Sequence, residues 1–190
     1  MVIDHVCIIF YPDQQYWMRF FGQITFPLVC YLLIQGHIYT SNHQKYLIAI
    51  FITAVLSQPF FSLLFPYTHL NDLFTLFFAL LLILLYEKFN LIFVFLLIFP
   101  LIYFQVVSIY ILLIFIFYFN RNNKFNLLFY SSFFYIFIYL LTHKFFVLGS
   151  MLFMIFLFKP LPRFNINKYF FYCFYPIHFF LIYLIHGITA

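Results

Sequence analysis

FNLIFVFLLIFPLIYFQVVSIYILLIFIFYF, residues 89–119, decides how this chain must fold. The stretch holds 31 nearly unbroken apolar positions, whereas one helical crossing of a bilayer takes about 20 residues. It is apolar on every face, so it is neither the alternating strand of a barrel nor the striped helix of a soluble domain. Gln105, just after Pro100, is the natural break, and it leaves two rather short membrane helices.

The rest of the chain has the same character. Of 190 residues, 67% are hydrophobic and 7% are charged, against about 25% charged in a soluble domain. So few charges cannot clothe a water-soluble enzyme, and so much apolar surface excludes a disordered tail. The 35 phenylalanines are read as an AT-rich genome's substitute for leucine against lipid, not as an aromatic binding platform. The expected fold is all-α, a polytopic transmembrane bundle of about 8–9 helices in one membrane domain. The spans fall near residues 1–11, 19–39, 46–65, 72–86, the two halves of 89–119, 126–142, 144–158 and 168–186.

Charge tests the split at Gln105. Lys45, Lys88, Arg121, Lys124, Lys159, Arg163 and Lys168 fall in alternate loops, and only Arg19 and Lys144 fall on the other side. Positive residues collect on the cytoplasmic side. That side then receives the loops at 40–45, 87–88, 120–125 and 159–168 and the N-terminus; the loops at 12–18 and 66–71 face outward. The bias disappears if 89–119 is one span. Cations scattered singly between apolar runs also suit topology better than nucleic acid, and no nucleic-acid partner is expected. Membrane lipid is the expected surrounding.

The first span is short. Eleven residues cover about 16 Å of a core about 30 Å thick. It is no signal peptide, because Asp4-His5 replaces the basic start. Either this helix is half-length or the start has been placed late. The three cysteines, Cys7, Cys30 and Cys173, have no CxxC spacing and are expected as buried free thiols.

In lipid the informative residues are the expensive ones. Asp4 and His5 lie about two turns before Pro12, and His178 lies ten residues past Lys168, all at depth. Two histidines and a carboxylate form a reasonable acid–base set: neutral imidazole takes a proton near pH 7, and a carboxylate steadies the imidazolium. Neighbours on a helix diverge by about 100°, so Asp4 and His5 are expected to meet different helices. The alternative is that all three merely hydrogen-bond between helices. The catalytic reading requires the two ends of the chain to share one pocket. His143 and His186 sit near the interfaces and His43 in a loop, where ordinary structural roles are expected. No pair of histidines is spaced i,i+3 or i,i+4 on a helix, so no metal is expected. Ser57-Gln58-Pro59 is expected to interrupt its helix, and Asn71 to cap the next.

Several stretches carry a family likeness: Met1-Val2-Ile3-Asp4-His5, Arg19-Phe20-Phe21-Gly22-Gln23-Ile24-Thr25-Phe26-Pro27, Lys45-Tyr46-Leu47, Ser57-Gln58-Pro59, Leu70-Asn71-Asp72-Leu73-Phe74-Thr75-Leu76, and Lys168 through Tyr175-Pro176-Ile177-His178. In this order and spacing the chain resembles the TraX family, polytopic proteins associated with acetylation of conjugative F-type pilin. The resemblance implies a bacterial inner-membrane acyltransferase that moves acetyl from acetyl-CoA to the N-terminal amine of a pilin or another envelope acceptor. It marks Asp4, His5 and His178 as catalytic and Arg19, Asn71, Tyr175 and Gln35 as substrate-binding. Two rival readings of the same residues are a transporter or flippase with a proton relay and a non-enzymatic assembly component. Family members begin several residues earlier, which implies a late start here. Gln23 stands where the family has arginine, and Gln35 where it has an acid. An arginine and an acid lost together imply a paired interaction exchanged as a unit, unless the arginine gripped the donor.

Overall fold

The computed structural model describes residues 2–11, 16–65, 70–89, 97–98, 101–102, 109–151 and 168–189. Among them every regular element is helical: α1 (Val2–Phe10), α2 (Tyr16–Gly22), α3 (Thr25–Tyr39), α4 (His43–Leu64), α5 (Asp72–Lys88), α6 (Ile111–Phe119), α7 (Lys124–Thr142), a 3₁₀ helix at Phe145–Ser150 and α8 (Lys168–Thr189). The all-α membrane fold is therefore as the sequence demands. Four stretches among the described residues, Trp17–Tyr39, His43–Leu64, Lys124–Thr142 and Phe171–Ile188, are long and apolar enough to cross a bilayer.

The helix ends follow local chemistry more than hydropathy. Asn42, Asn71 and Asn123 each adopt extended backbone, and each side chain accepts a hydrogen bond from an amide of the helix that follows. These caps carry α4 and α7 outward beyond the expected starts at 46 and 126. Hydropathy marks the part of a helix that lipid covers, whereas a cap marks where the backbone begins to coil. The expected span at 19–39 is divided by a turn at Gln23–Ile24, one turn before Pro27. A proline ring clashes with the carbonyl four residues back, here that of Gln23. The run 89–119 is not one helix either, since a turn at Ile109–Tyr110 precedes α6; Gln105 lies outside the described residues. The expected span at 144–158 opens as a 3₁₀ helix, and its residues from 152 lie outside the description.

Two compact units are formed, one from residues 1–32 and 116–165, the other from 33–115 and 166–190. In the first, α1 packs on α2, and α2 and α7 both pack on the 3₁₀ helix. Gly149 touches the backbone of Phe20 so closely that a Cβ would overlap its carbonyl oxygen. Ser150 Oγ donates to Gln23 O at 3.0 Å, and the rings of Phe20 and Phe145 stack at 5.6 Å. On α7, Leu127, Ser131, Phe134, Tyr135 and Ile138 are buried along one stripe. Phe125, Phe129, Phe133 and Phe137, equally apolar, are exposed. An apolar outer face is what a lipid-embedded helix requires.

In the second unit α4 packs against both α5 and α8. Phe61 meets Phe179 at 5.6 Å, Phe60 meets Phe180 at 5.3 Å and Phe51 meets Phe77 at 5.0 Å. Contrary to the expected interruption, α4 continues through Pro59. The ring removes one ladder bond, and side chains engage the carbonyls nearby. Ser57 Oγ donates to Thr53 O at 2.6 Å, and Asn71 Nδ2 donates to Ala54 O at 2.8 Å. Cys7 and Cys30 are buried free thiols as expected, but Cys173 is exposed, because its side of α8 turns away from the packed face.

Asn71 is completely buried and uses its backbone and its side chain to tie α5 to α4. Its N–H donates to Gln58 Oε1 at 2.9 Å, and its Oδ1 accepts from Leu73 N at 3.1 Å. Asn71→Ala removes a cap and the side-chain bond to the Ala54 carbonyl, so it is expected to destabilise the second unit by about 1–3 kcal/mol. Thermal unfolding in detergent or nanodiscs measures this; an unchanged midpoint refutes the tie.

Candidate functional site

The expected site residues fall in both units. In the first, Asp4 on α1 faces Arg19 on α2, with Oδ1 and Nε 3.3 Å apart and side-chain exposures of 16% and 18%. The approach is possible because residue 22 is glycine: a Cβ there would lie 2.7 Å from that of Asp4. Gln23 also bonds the Asp4 carboxylate through its side chain. The family likeness implies separate roles for Asp4 and Arg19, catalytic and substrate-binding. The fold pairs them, which neutralises a buried carboxylate within α1 and α2. His5 is buried on α1 as well, turned by one residue away from Asp4.

In the second unit, His178 is buried on α8 among rings. Phe174 stacks on it at 5.5 Å, and Tyr175 and Phe179 approach at 5.2 and 4.2 Å. Its Nδ1 lies 3.1 Å from the carbonyl oxygen of Phe174. A carbonyl only accepts, so Nδ1 carries the proton and Nε2 keeps the ring's lone pair. Helical geometry thus sets the tautomer without a carboxylate. Tyr175, one turn earlier on the same face, is 6% exposed, and its hydroxyl has no hydrogen-bond partner of good geometry among the described residues. That hydroxyl faces the backbone amide of Asp72, the first residue of α5. The Asp72 carboxylate, though exposed, also acts electrostatically on that phenol. Asn71 therefore sits beside this cluster as the cap of α5, and Gln35 is half-buried on α3.

A third polar group was not singled out from the sequence as a cluster. His37 Nε2 bonds Glu87 Oε1 at 2.9 Å, and the His43 ring lies 4.8 Å from that of His37. His37 is buried while Glu87 is 40% exposed. Tyr46 Oη donates to Leu33 O at 3.3 Å nearby. Fifty residues separate His37 from Glu87, so no local motif joins them. The charge map was the available signal, since it puts residues 37–45 and 87–88 at one end of their helices. Tyr172 lies near Tyr46 and Phe179 meets Phe61, so α8 runs in the same direction as α4. The His178 cluster then lies about 25 Å along α4 from His43. Among the described residues, no three His, Cys, Asp or Glu side chains are arranged to hold a metal ion.

Buried imidazole, phenol and helix-terminal amide in an apolar multi-helix chain define a polytopic membrane protein with a polar centre inside it. A family model described as TraX protein matches residues 1–186, and the chain belongs to the TraX family. It is also similar to a probable fimbrial assembly protein FimC, serogroup H1, of Dichelobacter nodosus, with 33% identity over 100 residues. That match covers 45% of this chain and 41% of the relative. No solved structure matches.

Replacing Gly22 by alanine is expected to force α1 off α2 and stretch the Asp4–Arg19 pair, an overpacking loss of about 1–3 kcal/mol. A double-mutant cycle of His37→Ala with Glu87→Gln is expected to show coupling of about 0.5–3 kcal/mol. Unfolding midpoints measure both; additive effects in the cycle refute the His37–Glu87 bond.

Proposed function

We propose that this protein is an acyltransferase of the bacterial inner membrane that transfers acetyl from acetyl-CoA to the N-terminal amine of a pilin or another envelope protein. Membership of the TraX family and the likeness to a relative named for fimbrial assembly support a pilin-related acceptor. The observation that carries the chemistry is the 3.1 Å contact of the buried His178 Nδ1 with the Phe174 carbonyl oxygen, from which Nε2 follows as the basic nitrogen.

The reaction asks for such a group. An ammonium cannot attack a thioester, so the acceptor enters as the free amine, having left one proton in water, and a base must take the second proton as it attacks. His178 Nε2 takes the proton from the amine as nitrogen bonds to the acetyl carbon. The carbonyl π pair moves to oxygen and gives a tetrahedral oxyanion. When the C=O bond reforms, the C–S bond breaks, and the imidazolium returns its proton to the departing thiolate. The Phe174 carbonyl holds Nδ1–H throughout and keeps Nε2 aimed. The apolar rings around His178 exclude water, which would otherwise hydrolyse the thioester. The family likeness also assigns His5, in the first unit, a part in the reaction. With lysines inside, the donor approaches from the cytoplasm, where the N-terminus also lies.

The test is co-expression with a candidate pilin and measurement of the mass of the pilin's N-terminal peptide. The wild type adds one acetyl group. His178→Ala is expected to lower acetylation about 10²–10⁴-fold at unchanged protein level, and His5→Ala to lower it too. Full acetylation in both variants would remove the histidines from the mechanism.

A further inference from the structure

We infer that Tyr175 supplies the oxyanion donor of the proposed transfer, with the first amide of α5 behind it. The inference rests on the acyltransferase reading and assigns a group that the reading leaves open.

A buried phenol without a partner is an expense: an unmet donor costs about 1–3 kcal/mol. Buried polar groups are otherwise satisfied almost throughout folded proteins. Around Tyr175 the polar groups are satisfied with care. Asn71 is fully engaged between α4 and α5. Ser57 Oγ donates to Thr53 O and Thr53 Oγ1 donates to Ala49 O at 2.7 Å. Gln58 Nε2 donates to Ser62 Oγ at 3.0 Å. Against this background the Tyr175 hydroxyl stands apart.

What surrounds the hydroxyl says what it would bind. The Asp72 amide approaches the phenol oxygen from the end of α5, where a 17-residue helix concentrates positive partial charge, partly offset by the Asp72 carboxylate of its first turn. An N–H leaning on the oxygen makes the O–H a stronger donor. The proton then needs an acceptor, and no described residue provides one of good geometry. Anionic oxygen is the acceptor that a phenol donor and a helix N-terminus both favour.

Place in the fold makes that oxygen a reacting one. Tyr175 and His178 are three residues apart on α8, their ring centroids 5.2 Å apart. On a helix such residues are neighbours on one face. A carbonyl carbon between them would meet a nucleophile deprotonated at His178 Nε2, with its oxygen turned to Tyr175 Oη. As the C–N bond forms, the π pair moves to that oxygen, and the Tyr175 hydrogen bond strengthens without surrendering its proton. The pair returns when the C–S bond breaks. Base and donor thus come from a single turn of α8, and Asp72 borders the phenol with both its amide and its carboxylate.

Steady-state kinetics of the full-length protein in nanodiscs, with acetyl-CoA and an N-terminal pilin peptide, test this role. Tyr175→Phe keeps the ring and removes the donor. It is expected to lower kcat about 10²–10³-fold with KM for both substrates nearly unchanged, while the pH at which the rate rises stays where His178 sets it. An unchanged kcat, or a loss confined to KM, overturns the role. If Tyr175→Phe does not accumulate in membranes, fluorotyrosines at 175 decide the matter. They keep the shape and strengthen the donor, so kcat should follow phenol acidity; a flat series overturns the role. A wild type that acetylates no amine removes both this role and the acyltransferase reading, whereas an active wild type matched by Tyr175→Phe removes this role alone.

Discussion

A bilayer offers no water to a buried N–H or C=O, and most of this chain follows from that. Each backbone polar group must be met by another part of the protein or coil into its own helix. Asn71 shows the rule at its strictest. It is completely buried at the end of a helix, where open amides would be most costly, and it closes the α5 terminus while bridging to Ala54 and Gln58. Pro59 follows the same logic. The missing N–H would be an expense in lipid, and the hydroxyl and amide side chains nearby engage neighbouring carbonyls, so α4 continues.

Because satisfaction is the default, the polar groups that depart from it stand out. Asp4 and Arg19 meet that demand by pairing, made possible by the small residue at 22. His37 and Glu87 pair across two helices at the lysine-bearing end of the second unit. Tyr175 has no partner of good geometry among the described residues, and His178 beside it is held by its own helix in one tautomer. Two polar groupings thus lie at separate levels of the second unit, about 25 Å apart along α4. That separation suits a chain whose proposed donor and acceptor arrive from opposite sides of the membrane.

Helix positions were legible in the sequence because apolar runs of span length have no alternative in lipid. The expected elements at 72–86 and 168–186 appear as α5 (Asp72–Lys88) and α8 (Lys168–Thr189), slightly longer at their C-terminal ends. Asn71 as the cap of α5 was legible from an asparagine standing before an apolar run. Less legible was the continuity of α4 through Pro59, beside which Asn71, the cap of another helix, bonds the Ala54 carbonyl. The exposure of Cys173 was missed for a similar reason: hydropathy gives depth in the membrane, not which side of a helix meets a neighbour.

The sequence by itself determined a membrane-embedded, all-helical chain, the rough limits of its helices and the residues costly enough to matter, since these depend only on solvent and local backbone chemistry. The tertiary structure decided what each costly residue meets. It gave Asp4 to Arg19 and His37 to Glu87, and it turned Tyr175 toward the start of α5. Those partners lie 15 residues apart or more, and a helix face finds its neighbour through packing, which no local pattern encodes.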